Sequence, residues 1–208
     1  MRGFSDDERE RITEALVEAG QRQFAQFGLE RTRIKDITDE VDIGTSTFYQ
    51  FFDSKEELYV EVLLREHRAF HTAAEEAVED VDEPREQARA VLQTMFEEVE
   101  SNPLIYRLIV EGELRSLQSR LSDAERAEIV DSIRGRRLST LEEWVDDPAF
   151  RIDDREMVDA LLRKLVFVSR AKNIPVAANT GPEYEETRDV LIDVVVNGLF
   201  SEPRDGDR

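Results

Sequence analysis

Residues 28–58 read GLERTRIKDITDEVDIGTSTFYQFFDSKEEL, and the spacing of their apolar positions decides the fold. Ile34, Ile37 and Val41 recur at intervals of three and four, which predicts a very short helix, and Thr45 to Phe51 predicts another after a tight turn at Val41 to Gly44. Two short helices joined in this way have the helix-turn-helix spacing. Phe48 and Phe52 lie four apart and are expected to anchor on Ile34, Ile37 and Ile43. That leaves Thr45, Ser46, Thr47, Tyr49, Gln50 and Phe51 to be shared between solvent and a groove. Small hydroxyl residues at the start of the second helix leave backbone amides open to a phosphate. Ser54 to Glu57 form a capping box that starts the next helix.

Working outward, Ile12, Leu16, Ala19 and Phe27 make one helical stripe, with Gln23 as its polar member and Gly28 as its expected stop. Downstream, the pattern predicts a long fourth helix to about residue 79, then helices over 85–100, from Pro103 through Leu117, and from Asp123 to Trp144. Two strongly apolar segments follow, at 153–172 and 183–200. Ile174, Pro175 and Val176 fall in the loop between them. No segment reads as a strand. The expectation is an all-α protein with a three-helix DNA-binding domain over 7–53 and a helical ligand-binding and dimerisation domain over 54–200. Three short helices bury little by themselves, so the fourth must lock onto them.

The chain has 208 residues, of which 40% are hydrophobic, and no cysteine, so disulfides and thiolate zinc sites are excluded. No apolar run is long enough to span a bilayer and the N-terminus lacks the pattern of a secretory signal, so a cytoplasmic protein with no membrane partner is expected. There are 48 acidic residues against 28 basic ones, a formal net charge of -20. An acidic surface so evenly spread suits a very salty cytoplasm, such as that of haloarchaea, where repulsion is screened within a few ångströms. Locally the balance differs: Arg22, Arg31, Arg33 and Lys35 face only Glu30 in their stretch, and Lys55 follows.

The run from Gly28 to Leu58, with Phe24 ahead of it, resembles the DNA-binding region of the TetR family of transcriptional repressors. The resemblance implies a homodimer, a recognition helix in each major groove of a palindromic operator, and a C-terminal pocket whose occupation releases DNA. It places Thr47, Tyr49 and Lys55 against phosphates and Gln50 at or beside base edges; a carboxamide can pair with adenine N6 and N7. Four positions depart from the family pattern. Asp42 replaces a usual glycine, Gly44 a serine cap, Phe51 a frequent histidine, and Arg33 a small hydroxyl residue. Phe51 is then expected to meet a thymine methyl or the core, and Arg33 to supply the phosphate contact that Phe51 lacks.

In the larger half the apolar segments 153–200 are expected to pair with their mates across a two-fold axis. Met95, Phe96, Tyr106, Trp144 and Phe167 are candidate ligand contacts that plain core packing would equally explain, and they imply an apolar or amphipathic effector. Arg107 and Glu111, four apart, fit a surface ion pair better than a polar pocket. His67, His71 and Glu75 share one helix face, but one helix cannot close a metal site, and no metal or cofactor is expected. No nucleophile triad or phosphate loop is present, so enzyme activity is not expected. Two other readings stay open: a DNA-binding regulator whose C-terminal half is a protein-contact or dimerisation platform without an effector, and a helical small-molecule-binding adaptor that no longer binds DNA.

Overall fold

The computed structural model describes residues 4–123, 126–127, 129–131, 138–173 and 183–201. The described residues form α1 (Asp6–Arg31), α2 (Ile34–Glu40), α3 (Thr45–Phe48), α4 (Lys55–Glu76), α5 (Pro84–Ser101), α6 (Pro103–Ile109), α7 (Glu113–Arg120), α8 (Thr140–Asp146), α9 (Arg155–Leu165) and α10 (Tyr184–Leu199), with a 3-10 helix at Val166–Asn173. The only pairing of extended residues among them is a single antiparallel bridge between Phe150 and Phe200.

Local chemistry explains most of the ends. Ser5 and Glu8 cap α1 reciprocally, a capping box that the sequence reading missed. Asn102 accepts from the amides of Leu104 and Ile105 at 3.1 and 3.3 Å, and Pro103 follows where its missing N–H costs nothing. Asp154 caps α9 through the amides of Glu156 and Met157.

Several expected boundaries are corrected. Gly28 does not end α1 but kinks it, with φ 77° and ψ 169°, and helical structure resumes through Arg31. The predicted helix from Pro103 to Leu117 is divided at Gly112, whose φ of 84° no right-handed helix allows. The predicted helix from Asp123 to Trp144 is interrupted, since Leu138 and Ser139 are not helical and α8 starts at Thr140. Segment 153–172 tightens to 3-10 geometry after Leu165. Ile174, Pro175 and Val176 lie outside the described residues.

By packing, the chain divides into two units that do not follow a boundary at residue 54. One comprises residues 1–68 and 102–134, the other residues 69–101 and 135–208. In the first, α6 and α7 pack against α1, and the core holds Leu16, Phe24, Leu29, Ile37, Phe48, Leu58, Tyr59 and Leu104, each at most 1% exposed. The Phe24 and Tyr59 rings meet edge to face at 4.7 Å. In the second, α5 packs against α8, α10 and the 3-10 helix around Leu92, Phe96, Trp144, Val158 and Val196.

The kink at Gly28 is specific to glycine. Its φ and ψ lie in a region that side-chain-bearing residues essentially never adopt, and an added Cβ would collide with the Glu113 carboxylate. Gly28→Ala should therefore lower the free energy of unfolding by about 1–3 kcal/mol from backbone strain alone. A urea titration of the two proteins checks this, and an unchanged midpoint would refute it.

Candidate nucleic-acid interface

Helix α3 is one turn long, shorter than its expected span of 45–51. Beyond Phe48 the chain continues as turns, with Gln50 N–H donating to Thr47 O at 2.9 Å and Phe51 N–H to Phe48 O at 2.9 Å. What fixes it is burial. Phe48 is 0% exposed and Phe52 nearly so, and both pack with Ile37, as their spacing implied. The turn before α3 places Asp42 at φ 56°, a left-handed residue at the position where glycine would be unstrained. The backbone bond from Ile43 N–H to Thr38 O closes it. Gly44 precedes α3 with no side-chain cap.

With Phe48 buried, the opposite surface carries Thr45, Ser46, Tyr49 and Gln50, all exposed, while Thr47 is half-buried. Tyr49 is 55% exposed and leans edge-on against Phe48. The Gln50 carboxamide has no partner among the described residues, although its carbonyl accepts from Arg9. Phe51 turns away from this face: its half-buried ring packs against Phe4 at 5.7 Å, and the Arg9 guanidinium lies 4.9 Å from its centroid.

The basic residues behave unequally. Arg33 is exposed and without a partner among the described residues, and so is available to a phosphate. Arg22 pairs with Glu40 at 3.0 Å and Lys35 with Asp39 at 2.6 Å. Lys55 is engaged internally: its ammonium donates to Leu29 O at 2.6 Å, Thr32 O at 2.9 Å and Glu30 O at 3.3 Å. Burial lowers its pKa, with Glu56 opposing. Lys55 thus closes the end of α1.

Sequence reading gave no sign of Glu113, which the structure sets beside the kink. Its carboxylate accepts from Leu29 N–H at 3.3 Å and from the Tyr59 hydroxyl at 3.2 Å, and burial raises the Tyr59 pKa. Arg107 makes the expected pair with Glu111 at 3.0 Å but also donates to Ala25 O and Gln26 O. Only α6 and α7 folding back onto α1 could reveal these roles.

Of the five candidate ligand contacts, four belong to the second unit and one to the first. Met95, Phe96 and Trp144 lie in the core of the second unit, where the Trp144 indole N–H donates to Gln87 at 2.8 Å. Phe167, half-buried, lies under the Arg170 guanidinium, 4.9 Å away. Tyr106 is in the first unit, because α6 packs on α1. No helix among the described residues is long and apolar enough to cross a membrane.

Residues 16–62 match the family model described as bacterial regulatory proteins, tetR family, and in that segment the chain is homologous to it. The transcriptional activator FasR of Mycolicibacterium smegmatis is 29% identical over 98 residues, 47% of this chain and 45% of that one, so the chain spans under half of this relative. The transcriptional repressor KstR2 of Rhodococcus jostii is 26% identical over 155 residues, 74% of this chain and 76% of that one. A TetR-family regulator structure from Pectobacterium atrosepticum superposes with TM-score 0.71 at 14% identity, covering 97% of this chain and 100% of that one. The fold is therefore the all-α architecture of that family, with helix-turn-helix helices first and a helical bundle after. These relatives are bacterial and lend no support to a haloarchaeal source.

Replacing Lys55 by Met should cost about 1–3 kcal/mol of stability, since three carbonyls lose a charged donor. Chemical denaturation checks this. An unchanged midpoint combined with weakened DNA binding would instead make Lys55 a phosphate contact.

Proposed function

We propose that the chain is a ligand-responsive transcriptional repressor that binds a palindromic operator as a homodimer. The observation that carries this reading is the exposed face of α3, where Thr45, Ser46, Tyr49 and Gln50 stand out from a turn pinned by the fully buried Phe48. Such a face has uncharged hydrogen-bonding groups and free amides at one end, suited to base edges and phosphates. The match of residues 16–62 to the tetR-family model supports it, and a relative covering about three quarters of the chain is a repressor. Arg33 and Tyr49 contact phosphate, as do the amides at Thr45 and Ser46. Thr47, half-buried, steadies the register, and Lys55 positions α1 from within.

The homodimer forms through residues 153–200. Met157, Val190 and Val194 are 57%, 61% and 62% exposed, while Ile192, Val196 and Leu199 on the other side of α10 are buried. Val190, Val194 and Gly198 follow one another at four-residue steps, and a Cβ at Gly198 would meet nothing within 4 Å. An apolar row ending in a glycine suits close approach of a second copy.

A second reading, in which the C-terminal part only dimerises, is favoured by one observation. Phe96 and Trp144 are at most 1% exposed, so an apolar effector at these residues must open a packed core.

Two measurements test the proposal. With an operator obtained by in vitro selection, Gln50→Ala should relax preference at one symmetric pair of positions by about 1–3 kcal/mol, while Arg33→Ala should weaken all sequences alike. Affinities for a panel of single-base variants decide this; an unaltered preference removes Gln50 from base reading. Val194→Asp should convert the dimer to a folded monomer in light scattering, and a persisting dimer would move the interface off α10.

A further inference from the structure

One side chain of α1 reaches the end of α3. Arg9 Nη2 donates to Gln50 O at 3.0 Å, and the same guanidinium lies 4.9 Å from the centroid of the Phe51 ring. Both contacts fall where α3 has stopped being a helix, since Tyr49 to Phe51 are turn residues. No backbone N–H among the described residues reaches Gln50 O, so no helical ladder holds the peptide that carries the Gln50 side chain. A charged donor makes the stronger kind of bond to such a carbonyl. Arg9 is itself aimed. It lies in the first turn of α1, its N–H donates to Ser5 O at 2.9 Å, and Ser5 and Glu8 cap that turn reciprocally. Phe4, just ahead of the cap, meets the half-buried Phe51 ring as well, at 5.7 Å. Although the chain has 48 acidic residues, none of those described pairs with Arg9.

We infer that Arg9 is a positioning residue for sequence reading: it fixes the peptide between Gln50 and Phe51 against α1, and through that peptide the Gln50 carboxamide. The inference rests on the proposed reading in which Gln50 contacts a base. A carboxamide that pairs bidentately with adenine loses both bonds when it is displaced by a fraction of its own length, so the backbone beneath it must be held. No side chain among those described holds the carboxamide, which leaves its backbone to set its place. A carbonyl bond alone lets the turn pivot; a planar guanidinium that also lies over a ring fixes the orientation too. Phe51 then serves the interface without touching DNA, as the platform on which Arg9 rests.

Two readouts on the full-length protein test this. In the absence of DNA, backbone amide relaxation measured by NMR should show Gln50 and Phe51 loosening in Arg9→Ala, their order parameters falling from about 0.85 toward about 0.6 while those of α1 and α4 hold. On an operator selected by the unaltered protein, Arg9→Ala should relax preference at the same symmetric pair of positions as Gln50→Ala, by about three- to tenfold. Arg9→Ala/Gln50→Ala should relax that pair no further than Gln50→Ala alone, because the two residues act through one contact. Phe51→Leu, which removes the ring under Arg9, should move both readouts in the same direction. Arg9 is exposed, and Arg9→Met, which keeps most of the apolar stem, replaces the alanine variant if that one fails to fold. Uniform weakening on every sequence with preference unchanged would make Arg9 a phosphate contact and overturn the inference, as would additive relaxation in the double variant or unchanged order parameters. Those results leave operator binding intact. If selection yields no operator, the operator-binding reading falls, and relaxation alone decides whether Arg9 holds the turn.

Discussion

The end of α1 is the constraint on which the first unit depends. At Gly28 the helix turns through a conformation open only to glycine, which frees an amide and several carbonyls inside packed protein. Each is taken up. Glu113 accepts from Leu29, Arg107 donates to Ala25 and Gln26, Lys55 donates to Leu29, Glu30 and Thr32, and the Thr32 hydroxyl donates to Gly28 O at 2.7 Å. All but Thr32 come from α4, α6 and α7, so the start of α2, and with it the helix-turn-helix, is set largely by helices remote in sequence.

Under the proposed operator-binding reading, this arrangement governs which charges of a very acidic chain remain open to DNA. Lys55, Arg22 and Lys35 are held by the protein's own carbonyls and carboxylates, leaving Arg33 as the free cation beside α3 among the described residues. Counterion release is then a small contribution, and it shrinks further as salt rises. In the proposed function, recognition falls to short-range groups, the hydroxyls of Thr45, Ser46 and Tyr49 and the carboxamide of Gln50, whose positions follow from the buried Phe48 anchor.

The second unit separates two uses of apolar surface. Ile192, Val196 and Leu199 pack inward from α10, whereas Val190 and Val194 stay out. Trp144 shows why a large aromatic residue is a weak sign of a ligand pocket: it fills the core, and its one polar atom is satisfied by Gln87.

The sequence by itself determined the all-helical class, the turn between α2 and α3, the Phe48 and Phe52 anchors, the Ser54 hydroxyl bonding the Glu57 amide, and the apolar character of α10. These follow from spacing along the chain, through apolar period and local capping, so neighbours in sequence suffice to specify them. It was silent on Glu113, assigned Lys55 to phosphate, grouped Tyr106 with Trp144, and ran one helix across Leu138 and Ser139. Those points depend on which distant helices meet. A carboxylate or ammonium looks the same in sequence whether it faces water or the unpaired backbone of a kinked helix, and only the tertiary structure brought α6 and α7 back to Gly28, where the kink leaves amides and carbonyls for them to bond.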